Sequence, residues 1–155
     1  MIRKAEEKDI DRILELLIQV NNVHAKIRPD IFIEDKTKYR AEDLKKLLED
    51  ENSPIFVATD ENDVVTGYGF TRIESHGDEP NIREYTSLYI DDICVDEAFR
   101  GKGIATQIFS FIEGFASSMG FHNITLNVWE GNDGAKNFYS SMNMKPLKTT
   151  MEKIL

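Results

Sequence analysis

A chain of 155 residues with 41% apolar side chains can bury one sizeable core, and its single cysteine excludes both an internal disulfide and a cysteine-based zinc cluster. The formal charge of −9 leaves no general basic surface for a phosphate backbone, so nucleic acid is excluded as an expected partner, while a cationic amine would be drawn to such a surface. Met1 to Asp11 is rich in Lys, Glu and Asp, unlike a secretion leader, and no run approaches the ~18 apolar residues of a membrane span, so the expectation is one cytoplasmic domain, 1–155, with no membrane partner.

Ile2 to Ala5 is a short edge-strand candidate. After an acidic first turn, Glu6 to Asp9, the residues Ile10, Ile13, Leu14, Leu17 and Ile18 recur at helical spacing, and this helix is expected to run out near Asn21 and Asn22. Val23 to Lys38, with Pro29 in its middle, reads as an irregular connection to a second helix carrying Leu44, Leu47 and Leu48. Two β-prone runs, Ile55 to Thr59 and Val64 to Ile73, flank the turn-rich quartet Asp60 to Asp63 and predict a hairpin. A loop from Ser75 to Asn81 leads into Tyr85 to Val95, a long β-prone run broken by Asp91 and Asp92.

The period then changes. Ile104, Ile108, Ile112, Phe115 and Met119 mark a helix closed by Gly120, on which Phe109, Phe111 and Phe115 exceed what one core-facing stripe needs and suggest a homodimer surface. Ile124, Leu126 and Val128 alternate as a half-buried strand does; after the turn Gly131 to Gly134, the spacing of Ala135, Phe138, Tyr139 and Met142 predicts a short helix, and the end of the chain reads as a strand. The order β-α-α-β-β-β-α-β-α-β predicts an α/β (α+β) fold with a mixed, largely antiparallel central sheet flanked by helices.

The chemistry concentrates where the strand ending at Val95 feeds the turn Arg100-Gly101-Lys102-Gly103-Ile104-Ala105 and a helix opens. Two glycines let the backbone approach a ligand and aim N–H groups at one point, the helix N-terminus adds partial positive charge, and Arg100 and Lys102 add full charges. A Walker-type loop would need Ser or Thr after Lys102, where Gly103 stands. A dinucleotide fingerprint would need its third glycine at Thr106. A solvated loop that happens to hold two glycines and two bases is the remaining plain reading.

Arg100-x-x-Gly103-x-Ala105, after an apolar strand and before an amphipathic helix, resembles the acetyl-CoA pyrophosphate motif of the GNAT superfamily of N-acetyltransferases. Asn132-x-x-Ala135-x-x-Phe138-Tyr139 is similar to that family's other CoA-side motif, with Asn143-Met144 in place of its usual Gly-Phe. The resemblance implies an acetyl-CoA-dependent transfer to an amine of a small molecule or peptide, with Ile93, Cys94 and Val95 holding the pantetheine arm through their backbone. It also implies that the turn from Arg100 through Thr106, together with Asn132, binds the cofactor. Tyr139 matches the position that acts as general acid on the CoA sulfur, against a plain reading as core packing.

The base is sought in Asp91 or Asp92, whose side chains point to opposite faces of a regular strand unless a bulge re-aims them; Glu84, Glu130 or a water are the alternatives. Asn132 suits a helix cap as well as a cofactor contact. Cys94 reads as a small buried residue, and His24, His76 and His122 lack ligand spacing, so no metal is expected. Asn22, His24, Pro29 and Phe32 lie in the stretch that lines the acceptor pocket in similar proteins, and Trp129 either walls that pocket or caps the core.

Overall fold

In the computed structural model, which describes residues 1–155, these patterns become β1 (Ile2–Lys4), α1 (Ile10–Ile27), α2 (Ala41–Glu49), β2 (Ile55–Thr59), β3 (Val65–His76), β4 (Tyr85–Val95), α3 (Ile104–Ser118), β5 (Asn123–Leu126) and α4 (Asp133–Ser141). The five strands form one sheet in sequence order. Each pair is antiparallel except β4 and β5, which run parallel because α3 carries the chain back across the sheet between them. This is the mixed, largely antiparallel sheet that the sequence predicts. No helix is long and apolar enough to cross a membrane.

Alternation along the strands divides the core in two. Ile55 and Val57 of β2 and Tyr68 and Phe70 of β3 pack with Ile13, Leu16 and Leu17 of α1 and Leu44 of α2. Phe56 and Ala58, with Leu88 and Ile90 of β4, pack with Ile108, Phe109 and Ile112 of α3 on the other face. The two glycines of β3 make that second contact close: a Cβ on Gly67 would stand 2.8 Å from the Cys94 carbonyl oxygen, and one on Gly69 2.7 Å from Cδ1 of Ile112.

Four expectations need correction. The first helix runs on to Ile27, because Ala25 is buried and continues the apolar stripe; it closes where the Arg28 N–H donates to the His24 carbonyl at 2.8 Å, just before Pro29. The hairpin strand β3 extends to His76, which pairs with Tyr85, so the loop starts at Gly77 rather than Ser75. No strand follows α4: Pro146 has no N–H to give a ladder, no backbone pairing lies beyond Met144, and the tail is held by an ion pair from Arg28 to Glu152 at 2.6 Å. Of the three phenylalanines expected at a dimer surface, Phe109 is buried and Phe115 half-buried against Phe56, which leaves only Phe111 exposed.

Candidate active site

The strand β4 carries an extra residue at Asp91. Phe70 of β3 pairs with Asp92, but the next residue, Thr71, pairs with Ile90. Such a bulge reverses the alternation, so Ile93 and Val95 fall on the α3 face together with Ile90, while Asp92 and Cys94 turn toward α1. The ladder between β4 and β5 ends at the same place, with Ile90 opposite Leu126. Beyond it the strands diverge, and the edge of β4 from Ile93 to Val95 has no neighbour on that side.

A cavity of about 450 Å³ occupies this opening, lined by Ile93 and Val95, by Arg100, Gly101 and Ala105 of the turn, and by Gly134, Ala135, Phe138 and Tyr139 of α4. An adjoining space of about 230 Å³ adds Phe99, Gly103, Ile104 and Thr106. Gly101 and Gly103 have φ of 78° and 76°, a left-handed conformation that a side chain would strain. The amide N–H groups from Gly101 to Thr106 donate to no other group of the chain, so the start of α3 presents a row of free donors. The turn is anchored from α1: Arg12 and Gln19 both donate to the Asp96 carboxylate, which also accepts from the Ala98 N–H at 3.2 Å.

Three of the predicted cofactor residues direct their side chains to partners within the chain, which for Cys94 leaves the backbone contact expected of it and for Asn132 gives the cap also expected. Cys94 points under α1, its Sγ 3.6 Å from the Leu16 carbonyl, and burial pushes the thiol up to about 12, so only its backbone is available at the cavity. Lys102 extends over the Phe99 ring, 5.0 Å from its centroid, and lines neither space. Asn132 caps α4 by accepting from the Ala135 N–H at 3.2 Å. Arg100 is exposed, donates from Nε to the Val95 carbonyl at 3.2 Å, and has a terminal nitrogen 4.0 Å from the Glu97 carboxylate, a loose pair that an anion in the cavity would compete with.

Tyr139, in the wall of the cavity, packs on Phe138 with ring centroids 5.1 Å apart. Burial, with the nearby charge of Asp92 adding to it, pushes its phenol above the usual range. Asp92 is half-buried, and its Oδ2 accepts from the Tyr68 hydroxyl at 2.7 Å. Burial raises its pKa to about 6; the Tyr68 hydrogen bond opposes the rise and the charge of Asp91 adds to it. Asp91 faces the connection between α1 and α2, where Lys38 and the Tyr39 hydroxyl donate to it. None of the four carboxylates considered as base, Asp91, Asp92, Glu84 and Glu130, lines either cavity; Glu130 is paired with Lys136, and Asp92 carries the pKa raised toward neutrality.

The acceptor-side candidates divide. His24, Phe32 and Trp129 converge into one aromatic wall, with centroids 5.1 Å apart for the first pair and 5.3 Å for the second. Burial holds the His24 imidazole below its ordinary pKa. Asn22 stands on α1, not in a loop, and is used structurally: its amide donates to Asp35 Oδ1 at 3.0 Å and its oxygen accepts from the Asp35 N–H at 2.8 Å. Pro29 follows directly on the helix-closing Arg28. No group of three or more His, Cys, Asp and Glu side chains is arranged to hold a metal.

Sequence reasoning missed Tyr68, Lys38 and Tyr39. Tyr68 was readable only as an apolar alternating position on β3, and the other two lie in a segment without a period.

A profile of the acetyltransferase (GNAT) family matches residues 25–144. No protein of curated function matches the sequence. Among solved structures, a mutant of the BH1408 protein from Bacillus halodurans superposes with a TM-score of 0.95 at 32% identity, covering 100% of this chain and 99% of that one. An aminoglycoside acetyltransferase from an uncultured soil metagenomic sample, in complex with trehalose, gives a TM-score of 0.74 at 22% identity, over 100% and 95% of the two chains. Glucosamine-6-phosphate N-acetyltransferase from Arabidopsis thaliana gives 0.72 at 23%, over 99% and 97%. At those last two identities the likeness is one of fold.

Proposed function

The chain belongs to the acetyltransferase (GNAT) family, and from that premise we propose that it is a cytoplasmic enzyme, a single domain over 1–155, which transfers the acetyl group of acetyl-CoA to a primary amine of a small molecule or peptide. The observation that carries this reading is that one cavity joins a free row of N–H donors at Gly101 to Thr106 to the gap between β4 and β5 and to Tyr139 in its wall. The donors and Arg100 suit a pyrophosphate, and the apolar walls from Ile93, Val95 and Phe138 suit a pantetheine arm. Bound there, acetyl-CoA supplies an activated acyl carbon and a thiolate leaving group.

The chain's own residues then divide the work. An amine attacks only as the free base, and the group assigned here to take the proton, directly or through a water, is Asp92, whose pKa burial raises toward neutrality. Free backbone N–H groups along the unpaired edge of β4 polarise the carbonyl. The Tyr139 hydroxyl, kept protonated by burial, returns a proton to the sulfur. The wall of His24, Phe32 and Trp129 bounds the acceptor side.

A thermal-shift comparison with acetyl-CoA, CoA, ATP and NAD tests this. A ligand at a hundredfold its Kd adds about 2.7 kcal/mol of stability. Stabilisation by acetyl-CoA and CoA alone, abolished in Gly103→Asp, is expected; no shift, or a larger one with ATP or NAD, would overturn the assignment.

A further inference from the structure

Lys38 lies in the connection between α1 and α2, and its ammonium is seated on the bulge of β4. It donates to both oxygens of Asp91, at 2.9 and 2.8 Å, and lies 5.3 Å from the centroid of the Tyr39 ring. The Tyr39 hydroxyl donates to the same carboxylate at 3.3 Å, and its ring is fixed by parallel stacking on Phe70 at 5.6 Å. A carboxylate and an aromatic face are the two groups that together bind an alkylammonium. Here they do so one residue away from Asp92, the candidate base.

Resting on the amine-acceptor reading above, we propose that this seat receives a second ammonium of the acceptor, that Lys38 fills it until the acceptor arrives, and that the substrate is therefore a diamine or a more highly aminated molecule.

The two partners differ in the way such an exchange needs. The Asp91 side chain is 18% exposed and fixed in the sheet, whereas that of Lys38 is 59% exposed at the end of a flexible stem. Lys38 can leave into water at little cost, since an ion pair with one open partner contributes little and its release returns side-chain freedom. Asp91, sheltered among Tyr39 and the strand, needs a cation in its place. The nitrogen that attacks the thioester must be neutral, so it cannot also carry the charge that holds the acceptor. A molecule with two nitrogens resolves this: one sits protonated on Asp91 while the other loses its proton toward Asp92. The lysine side chain, a primary ammonium on a four-carbon stem, is itself the internal likeness of such a ligand.

Isothermal titration of putrescine and n-butylamine, the same four-carbon chain with one nitrogen fewer, reads the seat with and without CoA and needs no turnover. Putrescine is expected to bind more tightly than butylamine by up to roughly fivefold, the scale of one such contact. Lys38→Met should tighten putrescine by a similar factor, Lys38→Arg should keep the natural affinity, and Asp91→Asn should make the two amines alike. Equal affinities in the natural chain, or putrescine binding that Lys38→Met leaves unchanged or weakens, would overturn the seat. Thiol release from acetyl-CoA reads the transfer separately: tight putrescine binding without thiol release would overturn the acetyltransferase reading and support the seat.

Discussion

The Tyr68 hydroxyl donates to Oδ2 of Asp92 at 2.7 Å, joining the middle of β3 to the residue just past the bulge of β4. Both groups are sheltered, and burial raises the pKa of each. The hydrogen bond stabilises the carboxylate and so holds Asp92 at about 6 rather than higher. This balance suits the role of base proposed for Asp92.

The pH dependence follows with two opposite signs. As a base, Asp92 works when deprotonated, so kcat/KM should rise with pH through an acidic limb near about 6, and Asp92→Asn should remove both the limb and most of the rate. Stability runs the other way. The folded pKa of about 6 exceeds the reference of 3.8, so between those values the folded chain holds a proton that the unfolded chain has released, and stability falls as pH rises through this window. Two pKa units correspond to about 3 kcal/mol. Asp92→Asn should therefore be more stable than the natural chain at neutral pH and should lack this slope, measured by urea melts across the window.

Tyr68→Phe isolates the hydrogen bond. Without its donor, Asp92 keeps the burial and loses the group that favours its charge, so the acidic limb should move upward by roughly one unit, on the scale of a hydrogen bond to a charged group. At pH well above the limb the rate should recover toward that of the natural chain. A limb that stays in place would show that Asp92 does not report there.

Periodicity and turn chemistry carry the architecture because each strand and helix buries one face: alternation at Phe56 and Val57, and the spacing of Ile108 and Ile112, dictate which side of the sheet each occupies. The glycine turn was legible for a related reason, since Gly101 and Gly103 need a conformation that leaves a residue signature. The bulge at Asp91 was marked only by the acidic pair that breaks the β-prone run, which allows a bulge without requiring one. Tyr68, Lys38 and Tyr39 acquire meaning only through partners distant in sequence, which no local pattern encodes. Asn143 illustrates a departure that the fold absorbs: it takes the left-handed φ of 63° after α4, where a glycine is usual, and the Met144 N–H still reaches the Tyr139 carbonyl at 3.0 Å.

Tyr139→Phe keeps the ring that packs on Phe109 and Phe138 and removes the hydroxyl alone. Turnover should fall by 10²-fold or thereabouts, the lower range for a positioned general acid, while the thermal shift with CoA is unchanged. An unchanged rate would reduce Tyr139 to a wall of the cavity.

Gly67→Ala tests whether the sheet face that carries the site tolerates any side chain. The added Cβ would stand 2.8 Å from the Cys94 carbonyl oxygen and 3.1 Å from Cδ1 of Ile108. Ile108 can shift, since its side chain is flexible, but the carbonyl belongs to β4 between Ile93 and Val95 and can move only with the strand. Overpacking of this kind costs about 1–3 kcal/mol, which urea melts will read. The same displacement would reach the unpaired edge of β4 that lines the cavity, so CoA should stabilise the variant less than the natural chain even at concentrations that saturate the latter. Gly114→Ala is the matched control: apart from the helix's own adjacent backbone no atom lies within 4 Å of a Cβ there, and the residue sits within α3, where alanine is the better helix former. That variant should be as stable as the natural chain or slightly more so, with its CoA response intact. Equal losses in both variants would mean that glycine is needed for some reason other than contact between β3 and β4.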